Sequence, residues 1–281
     1  DARRLVAVQG LRALAYGLGS VLIGVTLAER GYSDGAVGAL LASLLVGNAL
    51  ASLLLARYGD GFGRRRSYRL LLVLMACAGA AFALTGWLPA LIVAGLTGTL
   101  STDVVESGPF TSLEQAMLPH VAGSRDPTRL FGTYNTVATL AGSFGALLAL
   151  AGSTPYLLLA YPVAALAGLA ISAGLSAAVE LGHELESERP PPLHRSRGTV
   201  AWLSGLFALD SFGGGFVPQA FIAYLFTRRY DASTETLAVL FFAIGLLQAV
   251  SFQAAVRIAG RIGLLRTIVF THLPSNVLLA G

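Results

Sequence analysis

Nine apolar runs, separated by short polar breaks, leave this 281-residue chain few ways to fold. They fall at residues 5–28, 36–56, 68–87, 89–105 or beyond, 130–151, 156–179, 200–226, 236–256 and 267–280. Crossing ~30 Å of hydrocarbon at ~1.5 Å per residue takes ~20 residues of helix, which is near the length of these runs. Strands of a lipid-facing barrel would alternate apolar and polar residues, and these runs do not. The chain is 55% hydrophobic and 12% charged, more apolar surface than a water-soluble domain of this size hides. The sequence therefore predicts an all-α integral membrane protein of about nine transmembrane helices, because a helix satisfies its own backbone polar groups in lipid.

Charge placement predicts the topology. All 19 basic side chains are arginine. With the N-terminus inside, fifteen of them fall on inner segments, only Arg30, Arg228 and Arg229 on outer ones, and Arg12 within the first run. That bias predicts a multi-pass chain with a cytoplasmic N-terminus. Exclusive use of arginine suggests a GC-rich prokaryotic genome, and so the plasma (cytoplasmic, inner) membrane of a prokaryote. The net charge of +4 is loop charge in such a chain, not a nucleic-acid footprint. Cys77 stands alone, which excludes an internal disulfide or a cysteine metal cluster. Arg3-Arg4 before an apolar run resembles a signal peptide, but further spans follow at once, so the first run reads as a retained helix.

A short basic turn occurs twice. Asp60-Gly61-Phe62-Gly63-Arg64-Arg65-Arg66 lies between the second and third runs, and Gly260-Arg261-Ile262-Gly263-Leu264-Leu265-Arg266 lies 200 positions later between the eighth and ninth. Ser33-Asp34 and Asp231-Ala232-Ser233-Thr234 read as N-caps of the runs that lead into the two turns. The pattern predicts a duplicated bundle: residues 1–179 as six helices, 180–199 as a cytoplasmic linker rich in Glu and Pro, and 200–281 as a second bundle that is incomplete here. A piece of a longer protein is the expectation.

On these residues the chain resembles the major facilitator superfamily, whose signature between the second and third spans reads G-x-x-x-D-R-x-G-R-R/K. Asp60, Gly63, Arg64 and Arg65 match; Ala56 and Gly61 replace the first Gly and the first Arg. The resemblance implies two six-helix bundles joined by a cytoplasmic loop. It also implies transport of small solutes, and a basic turn that latches the bundles and gates access. Two motifs of proton-coupled drug exporters are absent: residues 91–98 contain no Arg, and Ala141-Gly142-Ser143-Phe144-Gly145 has glycines without proline.

Several polar residues stand within the runs. Asp103 and Glu106, at i,i+3 spacing, would share one face of a fourth helix, with Pro109 kinking it and freeing the Val105 carbonyl. An acidic side chain at mid-bilayer costs ~2.5–3.5 kcal/mol on insertion scales and is kept there for a cavity or partner. Glu114 lies nearer the basic side and reads as interfacial. In the seventh run Asp210 precedes Gly213, Gly214, Gly215, Pro218 and Gln219, which predicts an interrupted helix of the kind that forms transporter binding sites. The first run offers Gly17, Gly19 and Gly24 beside Tyr16 at comparable depth. Ala141, Gly145 and Ala149 mark close helix packing in the fifth. Arg12 could pair with Asp210, meet the fourth-run acids or bind an anionic solute; snorkelling to the inner surface is the favoured alternative. Asn48, Gln115, Tyr134, Asn135, Gln219, Gln248 and Gln253 are candidates to line a cavity or join helices.

Together these point to a secondary active transporter working by alternating access, coupled to protons. Asp103, Glu106, Asp210, Arg12, Tyr16 and Gln219 are its candidate pocket, and export of a cationic or amphipathic compound is favoured. A facilitator or symporter for a neutral or anionic metabolite is the nearest alternative. An intramembrane enzyme lacks a buried nucleophile–base pair or metal-ligand spacing, since His120, His183 and His194 lie in loops and His272 at a run's start. A receptor without transport is the third reading. The expected partners are a solute, protons and lipid, with no cofactor, metal or nucleic acid, and the chain is read as a monomer.

Overall fold

The computed structural model describes residues 1–105, 107–121, 126–180, 196–214 and 218–280. Every regular element among them is helical. The helices are α1 (Ala2–Glu29), α2 (Asp34–Phe62), α3 (Arg64–Leu84), α4 (Leu88–Leu96), α5 (Pro109–Val121), α6 (Pro127–Leu147), α7 (Ala160–Ser172), α8 (Arg197–Gly214), α9 (Gln219–Tyr230), α10 (Thr234–Ile262) and α11 (Leu264–Ala280), with short 3-10 turns before α7 and at Ala177–Val179. Among the described residues six stretches are long and apolar enough to span a membrane: α1, α2, α3, α6 with its 3-10 extension, α7 with the turn before it, and α10. The expected fourth span is instead two short helices, α4 and α5, with residues 97–105 and 107–108 between them non-helical. The expected seventh span is α8 and α9, and residues 215–217 between them lie outside the described set, as does 181–195 of the expected linker.

Successive spans alternate direction. Near the basic turn, Arg4 donates to the Gly174 carbonyl (2.5 Å) and Arg69 to that of Ser172 (3.3 Å). At the other end Arg30 donates to the Thr85 carbonyl (3.0 Å) and the Tyr224 hydroxyl to Asp34 Oδ1 (2.7 Å). Helix α1 is the centre of the packing: 83% of its apolar window is buried, against 17% for α10. It runs along α6, α7 and α9, while α6 also packs along α10. Leu53, Leu247, Val250 and Leu265 stay exposed on outer faces, as lipid-facing side chains do.

The glycines of α1 serve this packing and do not interrupt the helix. Gly17 meets the Gly142 carbonyl, Gly19 the Tyr161 hydroxyl and Gly24 the backbone of Ala220, and Gly145 approaches the Leu14 carbonyl. A side chain at any of them would hold the helices apart.

The repeat is visible in the backbone. Helices α2 and α10 each have 29 residues, begin after a serine whose hydroxyl accepts an N–H of the first turn, and end at a glycine with positive φ. Those glycines, Gly63 (φ 96°) and Gly263 (φ 85°), occupy a region that a Cβ disfavours, so the chain can reverse there at once into the next helix.

Candidate functional site

The break in the fourth span sets the problem. Non-helical backbone at membrane depth persists only if protein groups satisfy it. Side chains from the central helix and its neighbours do so. The Tyr16 hydroxyl donates to the Thr99 carbonyl (3.0 Å) and Tyr161 to Ser101 (2.9 Å). Gln9 donates to Val104 (3.1 Å), and the Thr111 hydroxyl to Val105 (3.1 Å). The helix is therefore broken ahead of Pro109, which starts α5, and the Val105 carbonyl expected to be open is occupied. Asp103 is exposed and non-helical, its Oδ1 accepting the Val105 N–H (2.8 Å), so it does not stand on the expected helical face. Glu106 itself lies outside the described residues.

Behind this break is a buried charge network that the sequence reading assembled wrongly. Arg12 does not snorkel, and Glu114 is not interfacial. Both side chains are fully buried and pair at 2.5 Å, Arg12 Nη2 to Glu114 Oε2. Tyr68 and Tyr134 also donate to the Glu114 carboxylate, giving it three donors from three helices. Arg12 further donates to Gln9 and to Ser107 Oγ (3.1 Å), and its guanidinium lies 4.0 Å from the centroid of the Phe110 ring. Its Nε has no acceptor among the described residues. The ion pair thus joins α1 to α5, and through Ser107 it grips the non-helical stretch. Depth along the helices sets the two level without making them face each other: Arg12 and Glu114 lie about 10–15 Å from the same end at 1.5 Å per residue.

Where α1, α6, α9 and α10 meet there is a cavity of only about 10 Å³, lined by Ser20, Thr139, Ser143, Gln219, Phe241 and Gln248 among others. That is room for roughly one water molecule. Gln219, a sequence candidate, is therefore beside Gln248, and it opens α9 after Pro218, which occupies the N-cap. Asp210, Gly213 and Gly214 belong to the end of α8; Gly215 lies outside the described residues. Tyr134 binds the carboxylate, and Gln253 donates to Thr136 Oγ1 (2.7 Å), tying α10 to α6.

The basic turn forms a second, wetter cluster. Asp60 accepts from Arg64 Nε (2.8 Å), but Arg65 turns to Glu180, the first residue of the expected linker. Glu180 accepts the backbone N–H of Arg64 (2.7 Å) and of Arg65 (3.2 Å), and Arg65 Nε (3.0 Å), so it caps the start of α3 from beyond α7. Burial pushes the Glu180 pKa up, yet the bonds from Arg65 and the two N–H groups outweigh it and hold the carboxyl below the usual range. Among the described residues, the hydrogen bonds of this turn all stay within residues 1–180.

The sequence profile of the Major Facilitator Superfamily matches residues 5–281. The chain belongs to that family of membrane transporters of small solutes. It is also similar to an uncharacterized membrane protein of Saccharomyces cerevisiae, at 26% identity over 99% of this chain and 72% of that protein. No solved structure matches.

Proposed function

We propose that this protein is a secondary active transporter working by alternating access, coupled to protons through the Arg12–Glu114 pair. The observation that carries this reading is an ion pair with both side chains fully buried, inside a chain whose surroundings are lipid. Desolvation costs several kcal/mol per ion, and well-packed apolar residues would be as stable or more so, so stability alone does not account for the pair. Intramembrane charges of this kind mark ion and substrate paths. A proton on Glu114 removes its charge and leaves Arg12 seeking another acceptor. Arg12 also holds Ser107, so the broken fourth span feels that change. Glu114 thereby joins Asp103, Glu106 and Asp210 as the acids of the path.

The contrast between the two ends of the molecule supports alternating access. A cavity of about 610 Å³ lies between α6 and α10 toward the basic turns, the centre is nearly filled, and at the far end Tyr224 of α9 is joined to Asp34 of α2. The bias of fifteen arginines to one side favours a cytoplasmic position for the basic turns and the N-terminus. The acids favour a cationic or amphipathic solute moved outward. A neutral solute is the second reading, favoured by the central cavity, whose lining among the described residues has amides and hydroxyls and no charged side chain.

The test is flux in proteoliposomes, with and without a pH gradient, using solutes chosen because they raise the unfolding temperature of the purified protein. The wild type should respond to the gradient, and Glu114→Gln should not. If Glu114→Gln folds poorly, the Arg12→Gln/Glu114→Gln pair, which leaves no orphan charge, takes its place. A full gradient response in a folded variant lacking Glu114 would remove the coupling claim.

A further inference from the structure

The two copies of the basic turn share a backbone but not a charge balance. The offset of 200 sets Arg57 against Arg257, Asp60 against Gly260 and Gly61 against Arg261. In the first copy Asp60 and Glu180 neutralise Arg64 and Arg65. In the second, the carboxylate has become Gly260, and Arg261 adds a cation four residues after Arg257, a spacing that sets like charges against each other. Both arginines line the open cavity of about 610 Å³ between α6 and α10, and Arg129 lines its opposite wall with Thr128 and Thr133. Among the described residues the one carboxylate in the lining, Asp126, accepts the Thr128 N–H (3.0 Å) as the cap of α6 and stands 3.7 Å from Arg129. Among the described residues, neither Arg257 nor Arg261 has a carboxylate within 4.0 Å; Arg257 donates to the Gln253 carbonyl (3.3 Å).

We propose that this cavity binds a phosphate-class anion, supplied by the headgroup of an anionic lipid or as free phosphate. Guanidinium groups present paired donors that match phosphate oxygens, and a concave basic wall concentrates the field on such a ligand. Basic pockets between membrane helices at the headgroup level bind lipid phosphates on this chemistry. The ligand would supply the negative charge that Asp60 and Glu180 supply in the first copy. It would also bridge α6 and α10, tying residues 127–147 to 234–262 at the basic-turn end. The proposal is independent of proton coupling.

The experiment uses the intact protein in neutral detergent. Native mass spectrometry counts retained phosphatidylglycerol against phosphatidylcholine, and thermal unfolding compares inorganic phosphate with chloride at equal ionic strength. Wild type should prefer one or both phosphate probes. Arg257→Gln/Arg261→Gln should weaken that preference by roughly fivefold per arginine, and Arg129→Gln, from the other wall, should weaken it by a similar single step. Arg228→Gln/Arg229→Gln, the same charge change at the other end, should leave it intact. Phosphatidylglycerol retention without a phosphate response assigns a lipid; a phosphate response that competes with lipid assigns a free anion. No preference for either probe, or equal loss in the control pair, overturns the site and leaves the arginines as topology signals.

Discussion

Two of the charge clusters among the described residues share their chemistry and differ in burial. Arg12 and Glu114 are fully buried, whereas the Asp60 side chain is 60% exposed and Arg65 35%. At the membrane surface an arginine–carboxylate pair is cheap and worth little, a median of about 0–1 kcal/mol. In the dry interior the same pair is costly to assemble and very costly to leave half-made. The turn can therefore vary, and its second copy has, with Leu264 and Leu265 replacing two arginines. The interior pair is built into the fold, because Tyr68, Tyr134, Gln9 and Ser107 are all committed to it.

This contrast predicts a graded series of losses. Glu114→Gln leaves an unpaired buried guanidinium and should destabilise the protein by about 3–5 kcal/mol, read by denaturant or thermal unfolding in detergent. Arg12→Gln/Glu114→Gln should recover most of that loss; additive effects of the two single changes would break the comparison. Tyr134→Phe removes one donor to the carboxylate and should cost about 1.5–3 kcal/mol in the same assay. Glu180→Gln should cost no more than about 1 kcal/mol. Because the folded Glu180 carboxyl is more acidic than usual, its contribution is present above the ordinary Glu value of about 4.3 and fades as pH falls through the lower folded value. The wild type and Glu180→Gln should therefore differ near neutral pH and converge in acid.

Much of the architecture was legible in the sequence, because hydrophobic run length and turn chemistry are local properties. Ser33 and Ser233 stand where the N-caps were expected, and Gly63 and Gly263 fall in the two basic turns. The family also follows from the turn at 60–66. The buried network was not legible in the same way. Depth along a helix leaves open which way a side chain points, so Arg12 read as a snorkelling residue and Glu114 as an interfacial one. Only the packing of α1 against α5 brings them together. The fourth span misled for a related reason. Its apolar composition suggested one helix kinked at Pro109, whereas Gln9, Tyr16 and Tyr161 supply donors that make a full break stable. Glu180 was grouped with a polar linker, and its role as a cap for α3 needs the return of the chain past α7.

Infrared difference spectroscopy of the purified protein across a pH titration examines the buried carboxylate itself. Our account predicts a protonated-carboxyl stretch that grows on acidification over the range in which flux responds to pH, and that disappears in Glu114→Gln. A spectrum with no such Glu114-dependent band in that range would contradict it.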